Sequence, residues 1–189
     1  MESCRYSEWA EKFRLLYRAF VLKIAKLADA KKILDVECGS GILIDELSRV
    51  FDKAEIYGID VNKDFCKMSN AVLGDARKLP FKSEAFDLIT FSYSLHDVGL
   101  PTILEARGCL KEGGALAIRD LNSEMPEIVK NVTLRCLEEN ISKAYAEKIK
   151  RAIENFPKPD SIAKFVGDFF EVIHFEKNVL FFDLIAVKK

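Results

Sequence analysis

Ile33-Leu34-Asp35-Val36-Glu37-Cys38-Gly39-Ser40-Gly41 reads as a short buried strand running into a tight glycine loop. Ile33, Leu34 and Val36 supply the apolar strand. Gly39 and Gly41 supply a turn where backbone can lie against a ligand with no Cβ in the way. The stretch from Leu43 to Phe51 predicts a helix whose N-terminal amides point at whatever sits over the loop. An open α/β sheet holds a nucleotide-like ligand in this manner, at the carboxyl ends of its strands. A dinucleotide fingerprint needs a third small residue, G-x-G-x-x-G. Here Ile44 stands in that place. That counts against NAD or FAD, and not against a smaller ligand without a pyrophosphate.

Strands and helices alternate around this stretch. Residues 7–30 carry Trp9, Phe13, Leu16, Phe20, Ile24 and Leu27 at three- and four-residue spacing, which predicts one amphipathic helix capped by Ser7. This stripe packs on a sheet, and Trp9, Phe13 or Tyr17 can also cover a substrate pocket. Strands are expected at Ile33–Glu37, Glu55–Asp60, Ala71–Gly74, Phe86–Tyr93 and Ala115–Asp120. A short helix fits Asp64–Asn70, and another fits Ile103–Leu110 before the Gly113-Gly114 turn. The strands are apolar runs without alternation, so a parallel sheet covered by helices on both faces follows. Residues 123–168 break the rhythm with charged helical patterns punctuated by Pro126, Pro157 and Pro159. Phe170–Glu176 and Val179–Val187, joined at Lys177-Asn178, predict a closing hairpin and so an antiparallel last pairing.

Composition excludes several classes. The chain has 189 residues, 49% hydrophobic and 31% charged, which suits one soluble globular domain. A net charge of −1 provides no basic field for nucleic acid or an anionic membrane. The five cysteines are scattered, and none forms a CxxC pair. That argues for free thiols, a cytoplasmic setting and no structural metal site. The apolar run Ala19 to Ala30 is interrupted by Lys23 and Lys26 and is too short to span a bilayer.

The ordered pieces ILDVECGSG, YGID, GDARKLPF, FDLITFSYSLHDV and LKEGGALAIRD span about residues 31–120. In this order and spacing they resemble the class I S-adenosylmethionine-dependent methyltransferases of the small-molecule type. The resemblance implies a Rossmann-like, doubly wound, mostly parallel seven-stranded sheet with an antiparallel last strand. It also implies one domain over residues 1–189. That domain has an N-terminal helix at 7–30, a cofactor-binding core at 31–120, a helical lid at 121–168 and a C-terminal hairpin at 169–189. The implied reaction is methyl transfer from S-adenosylmethionine to a small-molecule acceptor, with S-adenosylhomocysteine as product.

The same resemblance implies roles residue by residue. Asp35 orients the methionyl ammonium. Cys38, Gly39 and Gly41 form the loop against the methionyl and ribose parts. Asp60 accepts from the ribose hydroxyls, the logic shared with dinucleotide folds. Asp75 accepts from the adenine amino group, the Ala76 amide meets a ring nitrogen, and Val61 and Leu79 flank the ring. Ser92 and Tyr93 line the methyl-donor end. His96, just beyond the fourth strand, is the candidate general base, since imidazole titrates near neutrality. Asp97 either meets a cationic acceptor or caps a helix, and Lys143, Lys148, Lys150 and Arg151 form a basic face on the lid.

Glu37 stands where the family usually has glycine, which places a carboxylate near the donor and demands a backbone angle glycine tolerates better. That motivates an alternative: a relative that binds the donor with little turnover. An aminopropyltransferase lacks its expected acidic signature, and a Rossmann oxidoreductase fails on Ile44. The sequence names neither the acceptor nor an oligomeric state.

Overall fold

The computed structural model describes residues 2–189. Its centre is a seven-stranded sheet in the order β3-β2-β1-β4-β5-β7-β6. The strands are β1 Lys32–Val36, β2 Glu55–Asp60, β3 Val72–Leu73, β4 Phe86–Ser92, β5 Leu110–Leu121, β6 Phe170–Lys177 and β7 Phe181–Lys188. β1 to β5 run parallel, and β7 enters antiparallel between β5 and β6. The expected Rossmann-like architecture with its reversed last strand is therefore present. Chain order reverses between β1 and β4, and a crevice opens beyond their carboxyl ends at such a point.

Both faces of the sheet are dry, as continuous apolar strands require. Leu34, Val36, Ile89, Phe91, Leu116 and Ile118 turn to one face, under helices α6 (Pro101–Cys109) and α9 (Pro159–Gly167). Ile33, Leu88, Ala115 and Ala117 turn to the other, under α2 (Arg14–Ala25) and α3 (Ile42–Val50). A third cluster joins Met125, Leu137, Ile141, Ala146, Ile149 and Ile153. It forms where α7 (Glu127–Asn140) and α8 (Lys143–Asn155) meet Tyr6 and Trp9 of α1 (Glu2–Glu11).

The loop after β1 explains how Ile44 is tolerated. A Cβ added at Gly58 in β2 would lie 2.7 Å from Ile44 Cδ1 and 2.7 Å from Cys38 Sγ. The close approach of helix and strand is achieved by a glycine on the strand, not one on the helix. Gly41 caps α3 at φ 86°, and a Cβ there would meet the Ser69 Cβ at 2.8 Å.

Several boundaries differ from the sequence reading. The helix expected over 7–30 starts earlier and is two helices, broken at Lys12 and Phe13. Ser7 is no cap; it sits inside α1 with its hydroxyl on the Ser3 carbonyl at 2.8 Å. A short helix α5 (Leu95–Val98) follows β4, and α4 spans Lys63–Ser69. The third strand shrinks to two residues, because Asn70 caps α4 in the left-handed region and leaves little length before the GDA turn. The hairpin turn is longer than Lys177-Asn178, closing through Asn178 N to the Phe181 carbonyl at 2.8 Å. Within 121–168, α9 packs into the sheet's own core, so only α7 and α8 build the separate cluster.

Candidate active site

Two cavities meet beyond the carboxyl ends of β1 and β4. The smaller, about 40 Å³, is a polar cleft lined by Asp35, Glu37, Cys38, Gly39, Ser40, Ser92 and Tyr93, with Tyr6 and Tyr17 across it. The larger, about 280 Å³, is an apolar chamber walled by α1, α2, α5, α7, α8 and the hairpin tip. Tyr6, Tyr17 and Tyr93 line both, so these three rings form the partition between them.

The cleft is built from the strand tips. Asp35, 1% exposed, accepts a hydrogen bond from Thr90 Oγ1 at 2.7 Å across the β1–β4 pair. Burial pushes its pKa up to about 7, against the pull of Thr90. Glu37 follows at φ 56°, a left-handed conformation that costs a β-carbon residue about 1–2 kcal/mol. Burial, then the Asp60 charge, lift its carboxyl to about 7 as well, and a hydrogen bond from the Val61 amide offsets only part of this. Ser92 Oγ is buried without a hydrogen-bond partner among the described residues. A buried polar group left this way calls for a partner from outside the chain. The Cys38 thiol is raised by burial and lies 3.6 Å from Ser69 Oγ, an inert position.

Asp60 is 4% exposed and braces the loop: Oδ2 accepts from the Gly39 amide at 2.8 Å and Oδ1 from the Asn62 amide at 2.7 Å. Asp75 is exposed and held by Arg77, whose amide and Nε donate at 2.9 and 3.0 Å; these bonds lower its pKa. Ala76 and Leu79 are buried in the sheet core, and Val61 is 62% exposed. Asp35, Glu37, Cys38, Gly39, Ser92 and Tyr93 thus converge on the cleft, whereas Gly41, Asp60, Val61, Asp75 and Ala76 lie outside its lining.

His96 lines the chamber with a side chain only 3% exposed. Its Nδ1 is 2.6 Å from Asp120 Oδ1, and its backbone amide donates to Asp120 Oδ2 at 3.1 Å. Burial works against the charged ring, but the Asp120 carboxylate outweighs it and leaves His96 above the ordinary histidine value. Asp97 pairs with the α8 residue Lys148 at 2.6 Å, does not line the chamber and does not cap α6. None of the basic residues of α8 lines the chamber.

Tyr93, like Glu37, takes a positive φ, here 54°, and its amide donates to the Arg119 carbonyl at 2.7 Å. A bulky residue in that region is an outlier that only surrounding structure sustains. Here the sustaining frame is Tyr17 at 5.8 Å and Phe181 at 6.3 Å between ring centroids. Sequence reasoning missed Asp120 and Tyr6. The acidic end of ALAIRD was the available signal for the first; no local pattern marks the second.

Comparison with known proteins agrees with this fold. Residues 34–118 match a family model described as a methyltransferase domain. A 2-phytyl-1,4-naphtoquinone methyltransferase of Synechococcus elongatus is 26% identical over 167 residues, 76% of this chain and 72% of that one. A demethylmenaquinone methyltransferase of Staphylococcus saprophyticus is 28% identical over 127 residues, 60% of this chain and 54% of its own length. Among solved structures, the plantazolicin methyltransferase BpumL in complex with SAH superposes with a TM-score of 0.73 at 13% identity, covering 98% of this chain and 89% of that chain. At that identity the likeness is one of fold.

Proposed function

We propose that the chain is a class I S-adenosylmethionine-dependent methyltransferase whose polar cleft holds the donor and whose apolar chamber holds a small-molecule acceptor, a reading supported by the match of residues 34–118 to a methyltransferase domain. The observation that carries this reading is the shared tyrosine partition: one polar, acidic cavity and one apolar cavity meet through three side chains. Relatives named for a phytyl-naphtoquinone and for demethylmenaquinone support a small acceptor.

The cleft residues fit the donor. Ser92 Oγ is a buried hydroxyl lacking a partner among the described residues, and Asp35 and Glu37 are carboxyls whose ionised forms a cation would favour. When bound, S-adenosylmethionine supplies a methyl group on a positively charged sulfur, with a neutral thioether as leaving group. Asp35 and Glu37 complement the ammonium and sulfonium charges. Gly39 and Gly41 give the loop its close approach, with Cys38 packed beneath. Asp60, with lone pairs left on both oxygens, meets the ribose hydroxyls. Asp75 meets the adenine amino group, displacing its solvent-screened contact with Arg77. The Ala76 amide and Val61 complete the adenine side. Tyr93 and Ser92 border the transferring methyl, and His96 takes a proton from the acceptor. α7 and α8 close over the chamber as the lid. The protein's chief contributions are alignment and exclusion of water.

Titration calorimetry with S-adenosylmethionine tests this. Binding is expected with heat and a raised Tm; no heat and no thermal shift at millimolar donor would overturn it. Glu37 in its left-handed conformation favours a second reading, a donor-binding relative with little turnover. A sharp gain in donor affinity in Glu37→Gly would favour that second reading, and an unchanged affinity would remove it.

A further inference from the structure

The chamber has a chemical bias that methyl transfer as such does not demand. Among the described residues, no carboxylate, ammonium or guanidinium lines it. Its wall presents the rings of Tyr6, Trp9, Tyr17, Tyr93 and Phe181. A charged acceptor would lose its hydration there with only the His96 ring to offset it, at a cost of several kcal/mol or more. A protonated amine, a carboxylate or a phosphate ester is therefore a poor occupant. At about 280 Å³, the space equals roughly nine waters at liquid density, at about 30 Å³ each. That suits one or two fused rings.

One group in this wall is equipped to take a proton. His96 is held through Nδ1 by Asp120 at 2.6 Å, and Asp120 is itself fixed by the amides of His96 and Leu121 at 3.1 and 2.7 Å. This arrangement leaves Nε2 as the ring nitrogen for a ligand. The groups facing the ring are Asp120 from β5, Asp97 of its own helix at 3.8 Å from Nε2, Lys148 from α8 on the far side of Asp97, and Phe156 edge-on at 6.1 Å. Burial holds Tyr6, Tyr17 and Tyr93 neutral, so they are not competing bases.

We propose that the acceptor is an uncharged hydroxyarene of one or two rings, that His96 removes its hydroxyl proton, and that Asp120 positions His96. The proposal rests on the chamber being the acceptor site. The hydroxyl proton passes to Nε2, and the O–H electron pair stays on oxygen as aryloxide. That oxygen bonds to the methyl carbon while the C–S pair returns to sulfur. His96 then gives its proton to solvent. The sum is an aryl methyl ether, a thioether and one proton, with no oxidation or reduction.

The test uses three probes of one shape on the full chain: 2-naphthol, 2-naphthylmethylamine and 2-naphthoate. With S-adenosylhomocysteine bound, calorimetry should show 2-naphthol binding at least tenfold tighter than the two charged probes. With S-adenosylmethionine, 2-naphthol should become its methyl ether. His96→Gln should keep donor and naphthol affinity within about threefold and lose at least roughly 100-fold in turnover. The residual turnover of this variant should lose the acidic limb of the pH–rate profile, which a purely structural change at this position would keep. Asp120→Asn should move the acidic limb of the pH–rate profile to lower pH, a change that a purely structural role would not give. Equal or tighter binding of a charged probe, full turnover by His96→Gln, or a bound donor with naphthol rejected would overturn the proposal and leave donor binding standing. Failure to bind the donor would sink the reading on which the proposal rests.

Discussion

The cleft and the chamber lie on either side of three tyrosines, yet they are built in opposite ways. The cleft takes most of its wall from residues 35–43 and 92–93, two strand tips and one loop, with Tyr6, Ala10 and Tyr17 closing it. The chamber draws on α1, α2, α5, α7, α8 and the hairpin tip, segments up to 175 positions apart between Tyr6 and Phe181. The cleft concentrates acidic groups that a cation relieves, whereas among the described residues the chamber wall carries no carboxylate, ammonium or guanidinium. On the proposed reading, donor chemistry is written into a local backbone device, and acceptor chemistry into tertiary assembly. Changes on one side should leave the other largely untouched.

The largest effect should come from Asp35→Asn. It keeps an oxygen for Thr90 and removes the buried charge from the cleft. Donor affinity should fall by about 2–4 kcal/mol, roughly 30- to 1000-fold, while binding of a neutral aromatic probe in the chamber stays unchanged. Calorimetry with each ligand separately checks both halves. A loss in both would break the division drawn here. Ile149→Trp is the reciprocal change, overfilling the chamber from α8. An overpacking cost of about 1–3 kcal/mol predicts an acceptor KM raised roughly five- to 150-fold, with donor affinity held.

Next is pH. The carboxyls of Asp35 and Glu37 have folded pKa values of about 7, above their ordinary range. A raised pKa means stability that is full below the unfolded value and lost as pH rises through about 7. From these two groups alone, the free protein should melt at a higher temperature at pH 5 than at pH 8. A cationic donor favours the ionised forms, so its affinity should move the other way. It should weaken about tenfold between pH 8 and pH 6 for each of the two carboxyls it ionises, with proton release visible as buffer-dependent binding heat. Neutral occupants of the chamber should show neither trend.

The smallest effect belongs to Glu37→Gly. It releases a left-handed backbone and a poorly solvated carboxyl, against the extra chain entropy glycine brings when unfolded. A net gain of about 1 kcal/mol, or a Tm rise of roughly 2–4 °C, is expected at pH 8. Donor binding in this variant should depend less on pH.

The same division explains what was legible in the sequence. Ile33 to Gly41 carries its own strand, turn and cap signals, so the cleft loop and the strand order followed from local pattern. His96 was visible because it follows a strand tip. Asp120 was not, because its partnership with His96 joins residues 24 positions apart across two parallel strands. The break at Lys12 and Phe13 escaped because the apolar stripe continues through it in register. Phe13 even remains on the chamber wall. The place of α9 was missed because 123–168 read as one charged stretch: α9 carries fewer charges than α7 and α8, and its Ile162 and Val166 face the sheet core, while α7 and α8 turn their apolar residues to α1. Periodicity tells which residues are buried and not against what.

The central claim is that the methyl group crosses from cleft to chamber at Tyr6, Tyr17 and Tyr93. A crystal structure with S-adenosylhomocysteine bound tests it most directly. The account predicts the thioether sulfur at that tyrosine partition, its free side turned toward the chamber, with the amino-acid end beside Asp35 and Ser92. A sulfur turned to solvent, or a ligand seated away from the cleft with Glu37 filling its place, would contradict it.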